Sequence, residues 1–332
     1  MEPEQIKVDI TMDEMNRAGE IISRIRNYYT SKMVGQEQLG ISLIVSMIAN
    51  GHILLESVPG LAKTTAAKVM TEAVQGSFSR IQCTPDLIPS DIVGTQTYNA
   101  ATNTFENKLG PVYGNFVLLD EVNRSSAKTQ SAMLEAMQER AVTIGGTTYK
   151  MPGVFVVIST HNPIEKEGTY VLSEAQMDRF LLKVELTYPN QKEELEILNR
   201  IEAGVFERSE AVATIDDITF LQNLSKRVYV DPAIKQYIVN IVNATRKVGQ
   251  YIEPKLAQYV TMGASTRASI AFMDAAKAMA LISGRNYATP EDVKSMRHSV
   301  LRHRIMLNFA AMADGIQEEQ IIDEIVGAIK TP

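Results

Sequence analysis

Apolar positions recur at two different spacings along the chain, and the change between them divides it. Behind Thr11-Met-Asp-Glu14, whose Thr and Glu stand three apart as in a capping box, Met15, Ala18, Ile22, Ile25 and Tyr29 follow at helical intervals. An amphipathic helix therefore opens the fold, and Val34-Gly-Gln-Glu37 separates it from the next. Short apolar runs come after it, at 52–56, 79–83, 115–120, 154–159 and 183–187, separated by helical segments. Runs of this kind predict an α/β fold with a mostly parallel sheet covered by helices on both faces. Two polar stretches interrupt the alternation. Residues 96–113 carry Tyr98, Phe105 and Tyr113 among Asn, Thr and Gly, and 140–150 reads as a hairpin turning at Gly145-Gly146.

After Tyr188-Pro189 the period is helical throughout, so the chain is expected to divide into residues 1–188 and a smaller all-α domain over 189–332. Asp231-Pro232 and Thr289-Pro290 are helix starts, and Gly284 suits a helix end. With 332 residues there is room for two domains, and a composition 45% apolar and 22% charged is that of a folded globular chain. A net charge of −6 gives no global attraction to nucleic acid or to an anionic membrane. The single cysteine, Cys83, excludes an intramolecular disulfide and reads as a small buried strand residue. No apolar run approaches the ~18 residues of a membrane span, and the N-terminus lacks a basic segment before an apolar one. A cytoplasmic protein without membrane insertion is the expectation.

Candidate chemistry begins at residues 57–65, Ser-Val-Pro-Gly-Leu-Ala-Lys-Thr-Thr, between the first apolar run and a helical segment. A strand, a tight loop ending in Lys-Thr and a helix is the order that cradles phosphate: backbone N–H groups face the anion, Lys63 reaches the outer phosphates and the Thr64 hydroxyl ligates Mg²⁺. Ser57 and Ala62 replace the two glycines of the consensus, so the loop alone reads either this way or as an ordinary Pro-Gly turn. The run ending at Asp120-Glu121 adds two carboxylates at the edge of the sheet where ligands bind, one to hold Mg²⁺ and one to polarise water. Asn162 closes the next apolar run and either orients that water or simply turns the chain before Pro163. Arg179 either reaches a neighbouring subunit's phosphate or pairs locally with Asp178 or Glu174. Arg267 either senses the γ-phosphate or is a surface arginine. The four histidines offer no i, i+4 pair, so no metal beyond Mg²⁺ is expected. Met133 and Met137 read as core, and the cluster of Arg297, His298, Arg302, His303 and Arg304 as a solvated helix face.

Taken in order, Val34–Glu37, Val58–Thr64, Leu118–Arg124, Thr160–Pro163, Glu174–Phe180 and Gly263–Ala268 resemble the MoxR family of AAA+ ATPases over nearly the whole chain. The resemblance implies a P-loop NTPase domain followed by an α-helical lid. ATP is then expected on Val58, Pro59, Gly60, Leu61, Ala62, Lys63, Thr64 and Thr65, with Val34 and Gly35 near the adenine. Mg²⁺ is expected on Thr64 and Asp120. Lys63 belongs to Walker A, Asp120 and Glu121 form Walker B, Asn162 is sensor 1, Arg179 the arginine finger and Arg267 sensor 2. Residues 96–113 become the helix-2 insert and 140–150 the pre-sensor-1 hairpin, both on the substrate side of a ring that is commonly a hexamer. The implied function is ATP-driven remodelling or maturation of partner proteins, possible partners including proteins with von Willebrand factor A domains. The alternatives are a nucleic-acid motor of MCM type, which calls for a basic hairpin tip that 144–148 lacks, a magnesium-chelatase-like motor subunit, and a nucleotide-gated switch. In the loop, positive φ is expected mainly at Gly60, with Ser57 and Ala62 in ordinary regions.

Overall fold

The computed structural model describes residues 9–58, 60–163, 170–204 and 210–332. Pro59, one of the expected loop residues, lies outside them. The described chain forms two compact units, one of Arg24–Ile218 and one joining the residues up to Ser23 to Thr219–Pro332. The expected boundary at 188 falls inside the first unit, which also takes in the helix that follows.

Helix α1 (Met12–Lys32) starts at the expected cap: the Thr11 N–H donates to Glu14 Oε2 at 2.9 Å and the Glu14 N–H donates back to Thr11 Oγ1 at 3.2 Å. Then come α2 (Glu37–Ile48), β1 (Ile53–Glu56), α3 (Lys63–Ala73), β2 (Phe78–Gln82), α4 (Pro89–Val93), β3 (Gly94–Asn99), β4 (Thr104–Leu109), β5 (Phe116–Asp120), α5 (Ala127–Glu139), β6 (Ala141–Ile144), β7 (Thr147–Lys150), β8 (Val156–His161), α6 (Glu174–Met177), β9 (Leu182–Glu185) and α7 (Gln191–Glu202). Five strands make a parallel sheet in the order β2-β5-β8-β1-β9. Every residue of β5 is buried, and so is β8 up to its last position, which is why these stretches read as unbroken apolar runs. Register is what builds the site. Leu119 pairs with Ser159 and Glu56 with His161, so the C-terminal ends of β5, β8 and β1 stop at one level.

Buried His52 pins the opposite end of the sheet. Its Nδ1 accepts the Val157 N–H at 3.0 Å, which leaves Nε2–H to donate to the Met137 carbonyl at 3.2 Å. Burial, reinforced by the Arg140 charge, pushes its pKa down to about 3, so the ring is neutral and both bonds persist at neutral pH. Met133 and Met137 are core, as their spacing implies, and Cys83 is buried as expected but directly after β2 rather than in it; burial raises its thiol to about 12.

Both polar interruptions are antiparallel hairpins. β3 pairs with β4 and β6 with β7, the second turning through Gly145 and Gly146 at φ 55° and 80°. One side chain joins them. Asn107 Nδ2 donates to the Ile144 carbonyl and to the Tyr149 hydroxyl, both at 3.0 Å, while Asn107 Oδ1 accepts from Gln96 at 3.0 Å.

The second unit holds the start of α1, most of α8 (Ile215–Arg227), then α9 (Pro232–Arg246), α10 (Pro254–Ala257), β10 (Val260–Met262), α11 (Thr266–Ile282), α12 (Pro290–Ser295), α13 (Arg297–Leu301), β11 (Met306–Leu307), α14 (Phe309–Ala313) and α15 (Glu318–Ala328). Pro232 and Pro290 occupy first-turn positions behind Asp231 and Thr289, as read from the sequence. The all-α expectation needs one correction: β10 and β11 form a short antiparallel ladder, and Tyr229 bridges Tyr287. Strands of two and three residues are too short to show a period. The basic cluster is not a solvated face either. Arg297 and His298 reach Asp323 at 2.5 and 2.8 Å, Arg302 pairs with Glu319, and His303 and Arg304 are buried. Among the described residues no helix is long and apolar enough to cross a membrane.

Candidate nucleotide site

The loop leaves β1 with its first residue tied to the sheet. Ser57 is buried, its N–H donates to the His161 carbonyl at 3.1 Å and its hydroxyl to the Val58 carbonyl at 3.0 Å. Its φ is not positive, so the missing glycine there imposes no backbone strain. Gly60 has φ 88°, as expected. Ala62 overturns the other half of the expectation, because it adopts φ 53°, ψ 26°, the left-handed region. An L-residue there bears a penalty of roughly 1–2 kcal/mol that glycine escapes. Ala62→Gly is therefore expected to leave folding stability within about 1 kcal/mol, relief of strain being offset by unfolded-chain entropy. Ala62→Val is expected to weaken nucleotide binding about tenfold or more, because a β-branched residue resists this conformation. Calorimetric titration with ATP and thermal melts check both; equal ATP affinity in the valine variant would show that the loop has no need of this turn.

Helix α3 starts at Lys63 without a side-chain cap, so the positive end of its dipole serves the loop. Lys63 Nζ lies 3.5 Å from the Ser57 carbonyl, curled back over the loop where the outer phosphates of a nucleotide would lie. Thr64 and Thr65 follow in the first turn, half-buried. Beside the loop an apolar cavity of about 300 Å³ is lined by Met33, Val34, Leu61, Ala62, Ile197 and Ile201. Its size and lining suit a purine ring. Gly35, next to the lining residue Val34, has φ 69°, a conformation that favours glycine; the nearest atoms to a Cβ there belong to the end of the flexible Glu193 side chain.

Asp120 and Glu121 arrive at the same edge on β5. Thr160 organises both: its hydroxyl donates to Asp120 Oδ1 at 2.8 Å and accepts the Glu121 N–H at 2.8 Å. Glu121 is held at φ 58°, a conformation rare outside glycine and typical of strain kept at functional sites. Its Oε2 accepts from Gln82 at 3.2 Å and meets Arg124 Nε at 3.1 Å. Asn162 is buried directly after β8, the strand between β5 and β1, and so lies between the acidic pair and the loop. Across β1, Glu56 is half-buried, which by itself raises its pKa, yet the His161 hydrogen bond and the Lys183 charge at 2.9 Å outweigh this and hold it at about 2.

Arg179 follows α6, whose cap is Ser173 with Gln176, and precedes the fully buried Phe180. Neither Asp178 nor Glu174 neutralises it: among the described residues no carboxylate pairs with its guanidinium, and its Nε is buried without a hydrogen-bond partner. Arg267 stands exposed in the first turn of α11, its N–H on Ser265 Oγ at 3.0 Å. It belongs to the other compact unit. Sequence reasoning missed Thr160, Arg80, Gln82 and Arg124. Thr160 and Arg124 lay within motifs already singled out, and Arg80 and Gln82 alternate on β2, but which strand neighbours β2 is not written locally.

The donor set fits Mg²⁺. A threonine hydroxyl and an aspartate are hard oxygen ligands, and Asp120 already attracts a cation from its own chain in Arg80, whose Nη2 lies 2.5 Å from Oδ2. Among the described residues no three His, Cys, Asp or Glu side chains converge into a protein cage. Two protein ligands completed by phosphate and water oxygens is the arrangement Mg²⁺ favours.

Comparisons with known proteins agree with this geometry. Residues 52–182 match the "ATPase family associated with various cellular activities (AAA)", and residues 255–325 match the AAA lid domain. The chain is 45% identical to the chaperone MoxR1 of Mycobacterium tuberculosis over 300 residues, covering 90% of this chain and 79% of that one. It is 44% identical to the uncharacterized protein YeaC of Bacillus subtilis, covering 96% and 95%. A crystal structure of a Cytophaga hutchinsonii protein described as an ATPase superposes with a TM-score of 0.90 at 42% identity, over 96% of this chain and 97% of that one.

Proposed function

The chain belongs to the MoxR family of AAA+ ATPases, and from that premise we propose that it binds ATP with Mg²⁺ at the 57–65 loop and uses hydrolysis to remodel or mature partner proteins. The observation that carries this reading is the convergence of the uncapped start of α3, Asp120, Glu121 and Asn162 on one edge of the sheet. In it, Lys63 and the loop N–H groups bind the phosphates, and Thr64 and Asp120 hold the metal, whose charge offsets that building up on the transferring phosphoryl group. Glu121 accepts the proton of the attacking water and Asn162 orients that water. Arg179 acts on the nucleotide of the adjoining subunit, with Arg267 reporting the γ-phosphate to the lid. The apolar cavity at Val34 and Leu61 takes the adenine.

Subunits then assemble as a ring, a hexamer being the expected form, with the β3–β4 and β6–β7 hairpins meeting the client. The tip at Gly145-Gly146 is followed by Thr147 and Thr148, with no cation to meet a phosphate backbone, which supports a protein client over nucleic acid. Proteins with von Willebrand factor A domains are the partners to try first. The test is phosphate release by the purified chain with ATP, with and without Mg²⁺, DNA and an unfolded polypeptide. Turnover is expected to require Mg²⁺ and to ignore DNA. No Mg²⁺-dependent turnover would defeat the ATPase assignment of this site, and stimulation by DNA that falls steeply with salt would replace the protein client by nucleic acid.

A further inference from the structure

Both carboxylates at the end of β5 are already engaged by groups from this chain, and the stronger contact comes from outside the motifs. β2 is the edge strand beside β5, with Arg80 in register with Leu118 and Gln82 with Asp120. The Arg80 guanidinium grips one oxygen of Asp120, with Nη2 at 2.5 Å and Nε at 3.2 Å from Oδ2, and Nη2 also donates to Gln82 Oε1 at 2.9 Å. The other oxygen, Oδ1, is taken by the Thr160 hydroxyl. The two partners differ in freedom. The Asp120 side chain is only 11% exposed and fixed by the strand, whereas the Arg80 side chain is 48% exposed and able to swing into water.

We propose that Arg80 is a positioning residue that stands in for the metal: it holds Asp120 Oδ2 in the nucleotide-free protein and must leave before Mg²⁺ can take that oxygen. The inference rests on the nucleotide-site reading above. A guanidinium bonded to Oδ2 and a divalent cation on the same oxygen repel each other at close range in a partly desolvated site, so occupation by one excludes the other. Arg80 thereby keeps a buried carboxylate neutralised between turnovers and raises the Mg²⁺ concentration needed to load the site. If the Arg80 contact is made about nine-tenths of the time, its removal improves apparent Mg²⁺ affinity about tenfold.

The experiment measures binding of a fluorescent N-methylanthraniloyl ATP by anisotropy across a Mg²⁺ titration, beginning in EDTA, in the wild type, Arg80→Ala and Arg80→Lys. Arg80→Ala is expected to shift the half-saturating Mg²⁺ concentration down about tenfold, and Arg80→Lys to return most of the way to wild type because it restores the charge. Thermal melts give a second readout: in EDTA Arg80→Ala should melt lower than wild type, with Mg²⁺ and nucleotide closing the gap. Should the alanine variant fail to fold, Arg80→Gln replaces it. An unchanged or weaker Mg²⁺ response in the alanine or glutamine variant, in a wild type that does respond to Mg²⁺, overturns this proposal alone. A wild type whose nucleotide binding ignores Mg²⁺ overturns the site reading and this proposal with it.

Discussion

Replacing Arg179 by alanine is expected to lower kcat about 10³–10⁵-fold and to leave the affinity of each subunit for ATP almost unchanged. The size follows from what a guanidinium contributes when charge spreads over the transferring phosphoryl group, a contribution made in the transition state and little in the ground state. The setting of Arg179 favours that role over a structural one. Its neighbour Phe180 is locked in the core, so the backbone is fixed, yet no carboxylate among the described residues pairs with the guanidinium. An arginine kept this way has its charge to give to another molecule. Subunit mixing separates action in trans from action in cis. Arg179→Ala and Lys63→Ala chains should each be inactive alone and regain turnover when co-assembled, because the second supplies an arginine to the intact loop of the first. If the Arg179→Ala chain keeps near-wild-type kcat, or co-assembled mixtures stay dead, the assignment is wrong.

How much of this was legible depended on the range over which each feature is encoded. Helix starts at Thr11, Asp231 and Thr289 are local, since each is set by a side-chain-to-backbone bond spanning two or three residues, and all three are where the sequence places them. The central strands β5 and β8 were visible because burial on both faces leaves few polar positions, whereas the edge strands β2 and β9 carry Arg80, Gln82, Lys183 and Glu185 and were marked only by short β-rich runs. The Gly145-Gly146 turn was visible because only certain residues accept its dihedrals. The Arg80–Asp120 contact was not, since it needs the knowledge that β2 lies beside β5, a fact of topology. For the same reason Arg302 and Arg297 looked solvated: their partners Glu319 and Asp323 lie on another helix, α15. Ala62 misled in the opposite way. An alanine ordinarily takes right-handed backbone, and the loop overrides that preference where it turns into α3.

Glu121→Gln is expected to keep ATP affinity within a few-fold while lowering kcat about 10²–10⁴-fold, the range typical of a positioned general base. Glutamine has nearly the same shape, and the position demands little else of the fold. The Glu121 N–H bond to Thr160 is made by the backbone and survives, and the remaining amide oxygen still accepts from Gln82 or Arg124. The left-handed φ of 58° is no more costly for Gln than for Glu, so stability should move by less than about 1 kcal/mol. What is lost is the lone pair that accepts the proton of water. The consequence reaches beyond rate, because a subunit that loads ATP and cannot discharge it stays in the ATP-bound state, where client contacts are expected to last. Calorimetric titration, single-turnover phosphate release and capture of a candidate client with and without ATP would each read one part of this. Turnover within tenfold of wild type would remove Glu121 from the role of base, and the search would move to another carboxylate at the sheet edge, with Glu56, held ionised beside Lys183, the first to replace by glutamine.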